Sequence, residues 1–245
     1  MKYVGSKNRI SKYILPIMLE YKTPEMPWIE PFVGGANTID KVDGKRIGID
    51  NNKYLIALYH YIQCGGIINC DTITKDEWYH VKNNKTKYED WYVGLIGVLG
   101  SYNGNWFGSY GGGSLTKNGK YRNYFAEGVN GFLKQNISGI DFIFSNYNEF
   151  DIKTKSLIYC DPPYCLKNKR YKEHFDSAKF WDWCRIKHDE GHSVFISEYN
   201  APDDFNCIWS KEISKTNPTQ KVNKVEKLFT KMALKKPIER GLFFF

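Results

Sequence analysis

The chain has 245 residues, enough to bury a sizeable core in one large domain or in one domain with an inserted subdomain. The first ten residues are polar and no apolar run approaches the roughly 18 residues of a membrane-spanning helix, so we expect a soluble, cytoplasmic protein without a secretory signal. The net charge of +8 and the 16% of aromatic residues favour a nucleic-acid partner, through phosphate attraction and base stacking, although a basic soluble enzyme has the same balance.

The first part of the chain predicts a nucleotide-type site. A helix beginning near residue 10 is followed by a buried strand at 28–32, which runs into the turn VGGAN at 33–37 and then into a further helical stretch. A second short strand, 46–50, ends in Asp50, a position where an acid accepts hydrogen bonds from ribose hydroxyls. We favour this role over a helix cap, although two adjacent glycines after a strand are often only a turn.

The middle of the chain predicts a mostly helical insertion, residues 60–140, between two parts of a parallel sheet. Helices are expected at 53–62, 74–82 and 88–99, the second with Thr74 as N-cap and Glu77 completing a capping box. The glycine- and aromatic-rich segment 101–120 indicates a hairpin or a long loop with exposed rings. A helix over 121–136 then leads to a strand at 141–145.

A buried strand at 157–160 ends in the tetrapeptide DPPY, residues 161–164. Pro162 and Pro163 cannot donate ladder hydrogen bonds, so the strand must stop there. Asp161 can accept protons from an amine and Tyr164 offers a flat face for stacking, which indicates a pocket for a planar ring that bears an amino group. A Pro-Pro turn capped by Asp161 explains the same residues equally well.

The last third of the chain predicts a helix at 175–189 and strands at 193–197, 207–213, 227–232 and 241–245. Between Lys211 and Lys236, eight lysines stand against two glutamates. A solvated face explains lysines individually, but this excess favours phosphate contact. The six cysteines include no CxxC pair, so we expect reduced thiols and neither a zinc site nor a disulfide framework.

Taken in order, these motifs resemble the Dam family of DNA adenine-N6 methyltransferases, also called the D12 class. The resembling segments are YVGSK at 3–7, EPFVGGA at 30–36, Asp50, DPPY at 161–164, ISEYNAP at 196–202 and EKLF at 226–229. The resemblance implies an α/β fold: a Rossmann-like S-adenosylmethionine-dependent methyltransferase sheet with an inserted, mostly helical DNA-recognition subdomain. The catalytic domain would be 1–59 and 141–245, and the target-recognition subdomain 60–140.

The resemblance also implies S-adenosyl-L-methionine as cofactor, double-stranded DNA as partner, and methyl transfer to the N6 amine of a flipped-out adenine without a metal. The expected catalytic residues are Asp161, Pro162 and Tyr164. The expected cofactor-binding residues are Tyr3, Lys7, Glu30, Phe32, Gly34, Gly35, Asp50 and Asp161. The expected DNA-binding residues are Lys117, Lys120, Arg122, Lys169 and Arg170.

Ala36 departs from the family pattern, because the family usually has glycine at this position. Alanine disfavours positive φ, so we expect a slightly reshaped loop. Two alternatives stay open. An amino-methyltransferase acting on RNA or on a peptide could use the same tetrapeptide, since the chemistry of a planar amine is shared. The second alternative is a catalytically weak DNA-binding homologue, and Ala36 is the only feature of the sequence that suggests it.

Overall fold

The computed structural model describes residues 1–69, 71–163, 175–217 and 220–232. The helices in this part of the chain are α1 (Ser11–Leu19), α2 (Lys53–Gln63), α3 (Lys75–Asn83), α4 (Asp90–Val98), α5 (Tyr124–Leu133) and α6 (Ser177–Asp189). The strands are β1 (Trp28–Glu30), β2 (Arg46–Asp50), β3 (Ser114–Leu115), β4 (Tyr121–Arg122), β5 (Ile140–Phe144), β6 (Leu157–Cys160), β7 (Ser193–Glu198), β8 (Asn206–Asn217) and β9 (Gln220–Thr230).

Seven strands form one sheet in the order β5-β2-β1-β6-β7-β9-β8. The first five in this order are parallel, whereas β9 and β8 are antiparallel to their neighbours. This is a Rossmann-like α/β fold, as the resemblance implies. β1 and β6 are adjacent although the chain leaves β1 toward β2, so a topological switch point lies between their carboxyl ends.

Alternate strand residues fill two cores, one on each face of the sheet. Trp28 and Tyr159 belong to the core that α1 and α2 cover. Ile29 and Ile158 belong to the other core, which α6 covers with Phe180, Trp181, Trp183 and Cys184. The sheet is therefore the middle layer of three.

The segment 60–140 contains α3, α4, α5 and the short β3–β4 hairpin, and its assignment as an inserted subdomain stays a prediction. α4 packs so closely on α2 that a Cβ on Gly94 would collide with the backbone carbonyl of Tyr54. Buried residues of α3, α4 and α5 lie in the same core as those of α1 and α2. The recognition role of this segment stays a prediction.

The prediction of a helix after the glycine turn is wrong. Only a short 3-10 helix, Ile39–Lys41, follows the turn. The segment ANTIDKVDG is rich in β-branched residues and in Asn and Asp, which favour helices weakly, and Gly44 has a positive φ of 85°. The predicted strand at 241–245 lies outside the described residues. Within the described ranges, no helix is long and apolar enough to cross a bilayer.

Candidate active site

The carboxyl edge of the sheet brings the predicted motifs together. The glycine turn follows β1, Asp50 ends β2, and Asp161 follows β6. Since β1 and β6 are parallel neighbours that flank the switch point, the turn and Asp161 follow adjacent strands at the same edge. Ligands of open α/β sheets bind outside the carboxyl ends of the strands at this kind of position.

Asp161 forms an ion pair with a buried lysine. Lys7 Nζ lies 2.7 Å from Asp161 Oδ1 and donates to the carbonyl of Gly5 at 2.8 Å. The side chain of Lys7 is only 5% exposed and that of Asp161 is 22% exposed, so water screens the pair weakly. Pro162 is buried, and Tyr164 lies outside the described residues. Lys7, predicted to bind the cofactor, therefore contacts the carboxylate predicted to be catalytic.

The glycine turn is held between β2, α2 and the N-terminal segment. Gly34 N–H donates to Asp50 Oδ2 at 3.0 Å, and the Gly34 carbonyl accepts from the Tyr59 hydroxyl at 2.6 Å. Tyr3 lies against the turn: a Cβ on Gly34 would be 2.8 Å from Tyr3 Cε1, and one on Gly35 would be 2.6 Å from Tyr3 Cβ. Both glycines are needed because the chain approaches itself so closely here.

Both carboxylate oxygens of Asp50 accept backbone N–H groups. Asn52 N–H donates to Oδ1 at 2.9 Å and Gly34 N–H donates to Oδ2. Burial raises the pKa of Asp50 to about 6, and the two hydrogen bonds oppose this shift. The N-cap of α2 is Asn52, whose side chain accepts from Tyr54 N–H at 3.1 Å. Asp50 is thus not the helix cap, and a carboxylate oxygen with one partner can accept a further donor such as a ribose hydroxyl.

Ala36 adopts the left-handed conformation that we expected it to avoid. Its φ is 50° and its side chain is fully buried. The expectation that alanine avoids positive φ is wrong at this position, where Ala36 N–H donates to the Val33 carbonyl at 2.8 Å and the methyl group packs in the core. A change of the loop relative to the family stays a prediction. The turn keeps a glycine-like backbone at a cost of about 1–2 kcal/mol.

Glu30 and Phe32 flank the end of β1. Glu30 is buried, and its Oε1 accepts from the Trp28 indole N–H at 2.9 Å. Burial raises the pKa of Glu30 well above its usual range, and the charge of Asp161 acts in the same direction. Phe32 packs against Tyr147 with 5.2 Å between ring centroids. Contact of Glu30 and Phe32 with a cofactor stays a prediction.

The sequence of the site region matches a known family. Residues 3–95 match the family model of the D12 class N6 adenine-specific DNA methyltransferases. The resemblance to the D12 class is confirmed. The match contains the N-terminal segment, the glycine turn and Asp50, and it ends before the DPPY tetrapeptide. Methyl transfer from S-adenosylmethionine is the chemistry that this match indicates.

Two solved structures resemble the chain at low identity. The candidate methylase HI0767 from Haemophilus influenzae is 8% identical, with a TM-score of 0.35, and the alignment covers 92% of this chain and 89% of that one. SMU.472, a candidate methyltransferase solved in complex with SAH, is 9% identical, with a TM-score of 0.37; the alignment covers 94% of this chain and 53% of that one. At these scores neither structure says anything about the site. No curated protein matches the sequence.

The residues at the carboxyl edge fit the cofactor of the D12 class. Because Gly34 and Gly35 lack side chains, Tyr3, a predicted cofactor-binding residue, packs directly on the turn. Asp50 offers an acceptor for hydroxyl groups, and Lys7 offers a cation within the same edge. Tyr3 covers the turn from the side of the N-terminal segment. No group of three or more potential metal ligands occurs among the residues that the structure describes.

The predicted DNA-binding residues of the insertion lie on the β3–β4 hairpin and are exposed. Lys117 and Lys120 are in its turn. Arg122 is already paired inside the protein, since its Nε and Nη2 donate to the two carboxylate oxygens of Glu127 at 2.6 and 2.8 Å. The guanidinium of Arg122 has five N–H donors, so this exposed pair leaves donors for a phosphate. Lys169 and Arg170 lie outside the described residues.

Sequence reasoning missed two residues that contact the site. Gln135, just after α5, donates through Nε2 to the carbonyls of Gly35 and Ala36 at 3.1 and 3.2 Å. Glu226, in the EKLF segment, has its Oε2 4.0 Å from Lys7 Nζ. Nothing in the local pattern around Gln135 marks it, because its partners are about a hundred residues away. The family likeness of the EKLF segment was the available signal for Glu226.

Proposed function

We propose that this chain transfers a methyl group from S-adenosylmethionine to the N6 amine of an adenine at a specific site in duplex DNA. The observation that supports this most directly is the position of Asp161, which lies at the switch point beside the glycine turn, in a DPPY tetrapeptide. A carboxylate there can accept a hydrogen bond from a planar amine, and the turn beside it fits the cofactor.

Adenine inside a duplex hides its amine, so the nucleotide must be rotated out of the stack at a cost of a few kcal/mol. Tyr164 is the proposed stacking partner of the extruded base, and base–aromatic stacking returns about 1–3 kcal/mol. The exposed lysines of the β3–β4 hairpin supply the attraction to the phosphate backbone.

Asp161 and the carbonyl of Pro162 accept the two N–H groups of the adenine amine, which orients the nitrogen lone pair. When bound, S-adenosylmethionine supplies a methyl group on a positively charged sulfur, so the new N–C bond forms as the S–C bond breaks. The negative charge of Asp161 stabilises the positive charge that develops on N6, and Asp161 receives the proton that N6 loses. The chain forms no covalent intermediate.

The experiment is the methylation of DNA from a host without DNA methyltransferases, followed by mass spectrometry of the nucleosides. The wild-type protein is expected to produce N6-methyladenine, whereas Asp161→Asn loses methylation by at least about 10²-fold and still binds DNA, because only the charged acceptor is removed. Asp151→Asn is the matched control, since Asp151 is an exposed carboxylate in the segment that precedes β6.

Total RNA and cellular protein are tested as substrates beside the DNA. Methylation of RNA or protein but not of DNA would show that the proposed substrate is wrong. An Asp161→Asn protein that methylates adenine at the wild-type rate would remove Asp161 from the mechanism.

A further inference from the structure

A second carboxylate lies within reach of the lysine that holds Asp161. Lys7 Nζ is 2.7 Å from Asp161 Oδ1 and 4.0 Å from Glu226 Oε2. The side chains of Lys7 and Glu226 are only 5% and 15% exposed. Two acids therefore flank one buried ammonium group at the switch point.

The fold explains why Glu226 stands there. β9 pairs with β7 over residues 227–230, and Lys227 is opposite Glu198 at the carboxyl end of β7. Glu226 precedes Lys227 in β9 and is opposite Lys211 of β8, so it lies just beyond the carboxyl end of β7. Burial and the charges of Glu226, Glu198 and Asp161 raise the pKa of Tyr199 to about 12, which agrees with acids gathered around this edge.

The pair between Lys7 and Asp161 conflicts with the proposed chemistry. Lys7 Nζ lies on Asp161 Oδ1 and neutralises part of the negative charge that makes this carboxylate a strong acceptor for the adenine amine. A lysine that is 5% exposed cannot simply turn into water, and leaving an ammonium buried without a charged partner is strongly destabilising. The full charge of Asp161 becomes available to the amine if Lys7 moves to another carboxylate when the substrate binds, because the Gly5 carbonyl supplies no charge.

We propose that Glu226 is a positioning residue that receives Lys7 when the adenine amine takes its place on Asp161. The ammonium shifts from 2.7 Å at one acid toward the acid now 4.0 Å away, while its hydrogen bond to Gly5 holds the chain of Lys7 in place. The inference rests on the proposed function, and it assigns a role to the EKLF segment that the proposed function leaves unused.

The first test compares steady-state kinetics of Glu226→Gln, Glu226→Asp and the wild type. Glu226→Gln is expected to lower kcat about tenfold or more and to change the KM for S-adenosylmethionine less than about twofold, because Lys7 then stays on Asp161. Glu226→Asp keeps the charge and is expected to recover most of kcat. Glu212→Gln, an exposed acid on β8, is the matched control and is expected to match the wild type.

The second test observes Lys7 directly and does not depend on turnover. The 1H–15N signal of its ammonium, assigned by its loss in Lys7→Met, is followed while a duplex that the wild type methylates is added. The signal is expected to shift in the wild type and to stay unchanged in Glu226→Gln. Affinity for S-adenosylhomocysteine and the melting temperature are measured for both proteins, and both are expected to stay close to the wild-type values.

An unchanged kcat in Glu226→Gln, or a Lys7 signal that shifts equally in both proteins, would overturn the proposed role of Glu226. A loss that appears only in the melting temperature or in cofactor affinity would show a structural role instead. If the wild type fails to methylate adenine in DNA at all, the proposed function itself is wrong, and this outcome is distinct from the others.

Discussion

If Asp50 binds the cofactor as proposed, its raised pKa predicts that cofactor binding depends on pH. With a pKa of about 6, Asp50 is mostly protonated at pH 5 and ionised at pH 7.5. An ionised acid binds hydroxyl donors more strongly, by a difference worth about tenfold in affinity. We therefore expect the Kd of S-adenosylhomocysteine, measured by calorimetry, to fall as the pH rises through 6.

Asp50→Asn is expected to weaken the binding of S-adenosylhomocysteine at pH 7.5 and to abolish the change of its Kd near pH 6. The same pKa has an opposite effect on stability, because the folded protein holds this proton more tightly than the unfolded chain does. The contribution of Asp50 to the free energy of unfolding is thus greatest below its unfolded pKa of 3.8, and is lost as the pH rises through 6. A flat Kd between pH 5 and 7.5 would contradict a ribose-binding role.

Single residues were predictable where their partners are close in sequence. The capping box of Thr74 and Glu77 is present as expected, since both partners lie within one helical turn. Ala36 was mispredicted because the turn and the surrounding core determine its backbone conformation, and they override the preference of alanine for negative φ. The Lys7–Asp161 pair spans more than 150 residues, and no local pattern reveals it.

At the scale of elements, Gln135 joins the end of α5 to the glycine turn, the proposed cofactor site. Gln135→Ala removes the donor to the carbonyls of Gly35 and Ala36, and a hydrogen bond contributes about 1 kcal/mol. We expect the Kd of S-adenosylhomocysteine, measured by calorimetry, to rise about fivefold. Gln63→Ala is the control, because Gln63 donates to Ile137 and Ile140 carbonyls and does not touch the turn. Equal effects of both variants would argue against a specific link.

Elements with a strong period or clear end signals were predicted well. β6 ends at Cys160, directly before Asp161 and the two prolines, and α2 begins at Lys53 as expected. The segment after the glycine turn was mispredicted because small and β-branched residues carry no clear period. The lengths of β8 and β9, which pair with each other far beyond β7, follow from tertiary contacts and were underestimated.

At the scale of the molecule, the net charge of +8 predicts DNA binding that depends steeply on salt. A protein that makes six phosphate contacts loses about 10³-fold in affinity between 50 and 200 mM salt. The double variant Lys117→Gln/Lys120→Gln is expected to reduce the slope of log K against log salt, measured by fluorescence anisotropy. Lys153→Gln is the control, since this exposed lysine lies before the amino end of β6. An unchanged slope in the double variant would exclude the hairpin from phosphate contact.

The core shared by the insertion and one face of the sheet limits how this protein can be redesigned. Grafting residues 60–140 from a relative with another target sequence would place foreign helices on α2, where Gly94 leaves no room against Tyr54. A working chimaera would have to bring α2 with the graft, together with a glutamine that reaches the glycine turn. The exposed β3–β4 hairpin is the part of this segment that can be exchanged without disturbing the shared core.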